Sequence, residues 1–207
     1  MPNLNVRAMA KMLRLPAHKQ ERILFDQKYP KGEPQRFQTP YYGPALSGIR
    51  NFYRTSNAPS SLVAARAKIE GIGQEIRRLN NYRVLEKFQG SILPKRKLKL
   101  APNSRHSAKI GDVQLKLSPD LQALENNRRK IVYFNCRGEQ LDDELARYTL
   151  EIGLWVFDAE GIPIDPEQIE FMDLFTGRLH TVGECRATTI AKLTDTAKTI
   201  TKMWPNL

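Results

Sequence analysis

Between Ile110 and Arg137 the chain reads IGDVQLKLSPDLQALENNRRKIVYFNCR, and this stretch constrains the fold more than any other. Ser107 to Leu117 reads as two short strands around Gly111-Asp112, a tight-turn signal in reverse order. Pro119-Asp120 comes next, at the strand end, and Leu121 and Ala123 carry the chain on, extended, to Leu124. Glu125 to Arg129 is a polar turn. Lys130 to Asn135 (KIVYFN) is an apolar, β-rich run of the kind that fills a central strand, whose faces are both covered.

Downstream of Arg137, helix and hairpin patterns alternate. Leu141 to Asp158 carries an apolar stripe of Leu145, Tyr148, Ile152 and Trp155, with Asp142, Asp143 and Glu144 in the first turn, where the helix dipole favours anions. Ile169 to Phe175 and Arg178 to Val182 read as a hairpin across Thr176-Gly177, and Thr188 to Met203 as a closing helix. Asp173, just before that turn, suits a carboxylate that bonds nearby backbone amides.

Upstream, Asn5 to Leu15 and Ala17 to Tyr29 have helical periodicity, separated by Pro16. A Pro/Gly-rich loop over 30–40 leads into Tyr41 to Arg54, a helical stretch despite Gly43 and Gly48, in which basic and aromatic residues interleave. Such interleaving can stack bases while neutralising phosphates, but it also suits core packing. Leu62 to Phe88 is expected as the longest helix, with Ser60 or Ser61 as N-cap, Ile69, Ile72, Ile76 and Leu79 on its apolar stripe, and a kink at Gly71 and Gly73. Leu93 to Leu100 (LPKRKLKL) reads as a strand with a basic face. His106 has no partner at a recognisable spacing and is expected to be structural or exposed, not catalytic.

Charge divides the chain. Met1 to Leu117 holds 23 Lys and Arg against 7 Asp and Glu, whereas Ser118 to Leu207 holds 10 against 15. A basic half of this size points to a polyanionic partner, nucleic acid first, with an acidic protein as the rival. No apolar run approaches the roughly 20 residues of a membrane helix, and the N-terminus lacks a secretory apolar segment, so a cytoplasmic protein without membrane contact is expected. Cys136 and Cys185, far apart and without metal-ligand spacing, read as reduced thiols. Rossmann, P-loop and zinc-finger patterns are absent.

The order of helix, three strands, helix, strands and helix from Leu62 onward, with Pro119-Asp120 at a strand end, resembles the core of the PD-(D/E)XK nuclease superfamily. The resemblance implies an α/β (α+β) fold, a mixed sheet flanked by helices over residues 59–207, preceded by a basic helical extension over 1–58. It implies that Asp120 is the first ligand of a Mg²⁺ or Mn²⁺ ion. The family's acid-x-Lys would fall on Asn135-Cys136-Arg137. Asn135 offers a weaker neutral oxygen, and Arg137 is cationic but cannot act as a base. Glu86 or Glu139 could supply a migrated acid, as could Glu144 or Glu151, with Lys130 or Arg147 as a migrated cation. The expectation is a nucleic-acid-binding protein, DNA rather than RNA, with a degenerate nuclease-like core and a place in a larger nucleic-acid-processing or defence complex. Arg77, Arg78, Arg83, Lys87, Lys95, Arg96, Lys97 and Lys99 are the expected phosphate contacts. The rivals are an active metal-dependent nuclease and a scaffold without nucleic acid.

Overall fold

A computed structural model describes residues 1–29 and 41–207; the loop expected over 30–40 lies outside the described residues. In chain order the elements are β1 (Asn3–Asn5), α1 (Val6–Met12), α2 (Ala17–Lys28), α3 (Gly43–Arg54), α4 (Pro59–Glu70), α5 (Glu75–Gly90), β2 (Lys99–Leu100), β3 (His106–Ile110), β4 (Val113–Leu117), β5 (Leu121–Glu125), β6 (Arg128–Asn135), α6 (Asp143–Ala159), β7 (Ile169–Asp173), β8 (Leu179–His180) and α7 (Ala187–Met203). The fold is mixed α/β. One sheet has the order β1-β4-β3 and the other β2-β5-β6-β7-β8. Within the larger sheet β6 and β7 run parallel, joined by α6, and the other neighbours are antiparallel. No helix among the described residues is long and apolar enough to cross a membrane.

β6 is the middle of the molecule, and its residues explain why. Ile131 and Tyr133 pack into one apolar core with α1, α6, α7 and the smaller sheet. Val132 and Phe134 belong to a second core built on α3, α4 and α5. A strand covered on both faces needs apolar side chains at every position, which the run IVYF supplies.

The N-terminal segment is part of the first core. Leu4, Val6, Met9, Ala10 and Met12 are fully buried there. Asn3–Asn5 pairs in parallel with Gln114–Lys116 of β4. Asn5 then caps α1, its side-chain oxygen accepting from Ala8 N–H at 2.8 Å.

The expected long helix is two helices. The kink at Gly71 and Gly73 is a full break over 71–74, because α4 and α5 each pack separately into the second core. The break also resets the helical phase. α5 buries Asn81, Val84, Leu85 and Phe88, which leaves Ile76 70% exposed and Leu79 exposed as well. Neither serine caps α4: Ala58 is the N-cap residue, and Ser61 Oγ donates to Ala58 O at 2.7 Å. The expected strand over 93–100 is a single 3₁₀ turn, Leu93–Lys95, and then the short β2. Pro94 removes a ladder donor there.

α3 and α4 meet at a glycine. A Cβ built on Gly48 would lie 2.5 Å from Ala65 Cβ. Gly48→Ala therefore pushes the two helices apart, at about 1–3 kcal/mol. The double variant Gly48→Ala, Ala65→Gly should recover most of that loss in a urea titration. Equal midpoints for the single variant and the parent would show that the helices yield freely.

Candidate functional site

Asp120 lies between the end of β4 and the start of β5, beside β6. Its N–H donates to Val132 O at 3.0 Å, and its Oδ2 accepts from Phe134 N–H at 2.7 Å. The same oxygen accepts from Arg7 Nη2. The pairing of β1 with β4 explains how a residue 113 positions away arrives: register Asn5↔Lys116 delivers the start of α1 to the end of β4. The Arg7 guanidinium lies 4.9 Å from the Tyr133 ring centroid and 5.5 Å from that of Phe171, so it is held by aromatic faces as well as by charge. Arg50 Nε donates to Asp120 O at 2.7 Å. Two arginines thus fix this one residue, one on its carboxylate and one on its backbone.

A cavity of about 430 Å³ opens here, with Arg7, Lys11, Tyr42, Asp120, Asn135 and Arg137 in its wall. Lys11 has no ion pair among the described residues. Its ammonium is held below the ordinary lysine range, first by burial and then by repulsion from Arg137 and Arg7. The cavity also meets Glu139 and Asp142. Asp142 is paired with Arg14 at 2.9 Å, and Glu139 lies 3.9 Å from Arg137. Burial first, and then Asp120, pushes the neighbouring Cys136 thiol up to about 12, so it stays protonated and inert at neutral pH.

The donor set does not fit a divalent metal ion. Such an ion needs several oxygen ligands, and here the one carboxylate at the strand end already holds an arginine and a backbone amide. Asn135 does not complement it: its Nδ2 donates to Glu139 O at 2.8 Å and Asp173 Oδ1 at 3.0 Å, and its Oδ1 accepts from Arg137 N–H. Arg137 is 61% exposed. Glu86 lines a different cavity, on the far side of Asn135-Cys136-Arg137. Glu144 pairs with Arg14, and the buried Glu151 with Arg147 and Arg186. Lys130 pairs with Glu170. Among the described residues no group of three His, Cys, Asp or Glu side chains is placed to hold a metal.

The expected basic contacts separate into sets. Arg83 and Lys87 line the cavity that holds Glu86, next to Arg137. Lys95, Lys97 and Lys99 are exposed on the segment that leads into β2 and line no part of the Asp120 cavity. Arg77 Nε donates to Tyr41 O at 3.3 Å, and Arg78 Nη1 lies at 3.5 Å from Ile72 O. Arg96 is a correction: its guanidinium grips Glu125 at 2.6 and 2.8 Å and Glu170 at 2.6 and 3.1 Å, inside an ion cluster, and is not part of the exposed basic surface. Alternation of lysines around Leu98 gave no sign of this, because Glu125 and Glu170 are distant in sequence. Arg7 and Lys11 carried no sequence signal either, beyond the general excess of charge.

Two further polar sets hold the fold together. His106 Nδ1 lies 2.6 Å from Glu160 Oε2 and its Nε2 2.9 Å from Ser104 Oγ. Glu160 Oε1 accepts from Ser107 N–H, and Gln122 Oε1 lies 2.8 Å from the same Ser104 hydroxyl, so the set ties the chain ahead of β3 to the end of α6. Asp173 is buried and accepts from Leu141 N–H, Phe175 N–H, Thr176 Oγ1 and Asn135 Nδ2, as its place before a turn implied. No family model matches this chain, and no curated protein or solved structure matches it.

Proposed function

We propose that the protein binds nucleic acid through its phosphates at the Asp120 cavity and does not hydrolyse it there. The cation cluster at the strand ends carries this reading. Arg7 neutralises the one central acid, while Lys11 and Arg137, two like charges, line the same cavity and repel each other. A phosphate entering the cluster would relieve that repulsion and take hydrogen bonds from both. The basic N-terminal half, from which Arg7, Lys11, Arg83 and Lys87 all come, supports a polyanion of many charges over a single small anion. In a PD-(D/E)XK-like core this would be a nuclease frame turned to holding, with side-chain cations standing where metal would be needed to cut.

Fluorescence anisotropy with labelled DNA and RNA tests it. Affinity should fall steeply between about 50 and 200 mM salt, because each neutralised phosphate adds about 0.9 to the log–log slope on duplex DNA and about 0.7 on single strands. Lys11→Ala with Arg137→Ala should weaken binding about tenfold or more and lower the slope by about two such contacts. Binding should also weaken as pH rises through the lowered pKa of Lys11, below 10.5, where the cation is lost. Salt-independent binding would sink the phosphate reading and leave an acidic protein as the better partner. Mg²⁺- or Mn²⁺-dependent cutting that Asp120→Ala abolishes would overturn the non-cleaving assignment.

A further inference from the structure

We infer that the strand-end surface accepts single-stranded nucleic acid in preference to a duplex. This rests on the phosphate-binding reading above and goes further by naming the form of the partner. Two cavities, about 430 and 280 Å³, share Asn135, Cys136 and Arg137 as their common wall. Arg137, largely exposed, is the lip between them. Cations stand on both sides of it: Arg7 and Lys11 in the first cavity, Arg83 and Lys87 in the second. Acids are present too, Asp120, Glu139 and Asp142 in the first and Glu86 in the second. Of these, Asp120, Asp142 and Glu139 carry arginine partners, Arg7, Arg14 and, at 3.9 Å, Arg137 itself.

Each cavity also presents an aromatic side chain. Tyr42 lines the first, edge-on to Tyr41 at 4.9 Å between ring centroids. Phe175 lines the second and is 42% exposed, with Lys87 Nζ 5.5 Å from its ring centroid. Phe175 comes directly after the buried Asp173–Leu174 pair, and its N–H bonds Asp173 Oδ1, so the ring is presented from a fixed backbone. Concavities of this size, each with cations and an aromatic in the wall, suit unstacked bases with the backbone crossing the intervening lip. A duplex keeps its bases paired inside a phosphate shell and cannot fill either cavity without local melting.

The test is anisotropy of the whole chain with a labelled 12-nucleotide single strand, a blunt duplex of the same sequence, and heparin as a polyanion without bases. The single strand should bind at least tenfold more tightly than the duplex. Phe175→Ala should weaken the single strand about tenfold and leave heparin unchanged, since stacking on one aromatic is worth about that much per base. A thermal melt checks that the variant keeps its fold. Equal or tighter duplex binding would overturn this inference and leave the phosphate reading standing. Heparin matching the single strand, with Phe175→Ala silent, would show that charge alone acts and would also overturn it. Binding to none of the three would bring down both.

Discussion

Asp173→Ala should cost about 3–5 kcal/mol, one of the two largest losses expected from a single substitution in this protein. The side chain makes four accepted hydrogen bonds while fully shielded from water. Alanine would strand the buried Leu141 amide at its full desolvation penalty, take the partner from the half-buried Phe175 amide, and leave Asn135 Nδ2 with Glu139 O alone. The bonds also join three elements: the end of β6 through Asn135, the entry to α6 through Leu141, and the β7–β8 turn through Thr176 and Phe175. Burial alone would raise the Asp173 pKa, but the four donors more than offset it and hold the carboxyl below the usual aspartate range. Asp173 therefore stabilises the fold fully above about 3.8, and that contribution is lost as pH falls through its lowered pKa. Urea titrations of parent and variant, at neutral pH and in the acid range, check both statements. Asp173→Asn should recover little, because its amide would face donors. A loss under about 1 kcal/mol for Asp173→Ala would show that the turn repacks without the carboxylate.

Arg96→Ala should cost nearly as much, and should do so without changing nucleic-acid binding. Glu170 is 3% exposed, and Arg96 and Lys130 are the cations that compensate it. With Arg96 removed, Lys130 must balance Glu170 and the half-buried Glu125 together. Breaking one partner out of a buried ion set costs about 3–5 kcal/mol. Replacing Arg96 and Glu170 together by methionine and leucine should be far milder, since the stranded charge goes too. The control is Lys97→Ala, a change at an exposed site that should leave the melting temperature within about a degree. Unfolding midpoints and the salt slope of binding, measured on all three, separate structural cation from surface cation. Unchanged stability with weakened binding in Arg96→Ala would return that residue to the nucleic-acid contacts.

Features encoded in local patterns were legible from the residues alone. The apolar run at Ile131–Phe134 made a central strand, Gly111-Asp112 made a hairpin, and the stripe on Leu145, Tyr148 and Ile152 made a helix, here capped by Asp142. Each arises from periodicity or turn chemistry within a few residues. The same patterns located Asp120 at a strand end and Asp173 at a turn. They also misread the stretch 62–88, where helical propensity continued across glycines but packing of two separate helices did not.

Which charges meet was settled only when the layers assembled. Arg7 reaches Asp120 across 113 positions, and Arg96 reaches Glu170 across 74, because strand pairing sets which ends lie together. Composition counts cations but cannot say which are neutralised inside and which stay at the surface. That sorting took Arg96 out of the basic surface, turned Asp120 from an open ligand into an arginine's partner, and left Lys11 and Arg137 facing the cavity. The reason is physical: an ion pair forms where burial makes an unpaired charge unfavourable, and burial is a property of the assembled layers, not of any segment.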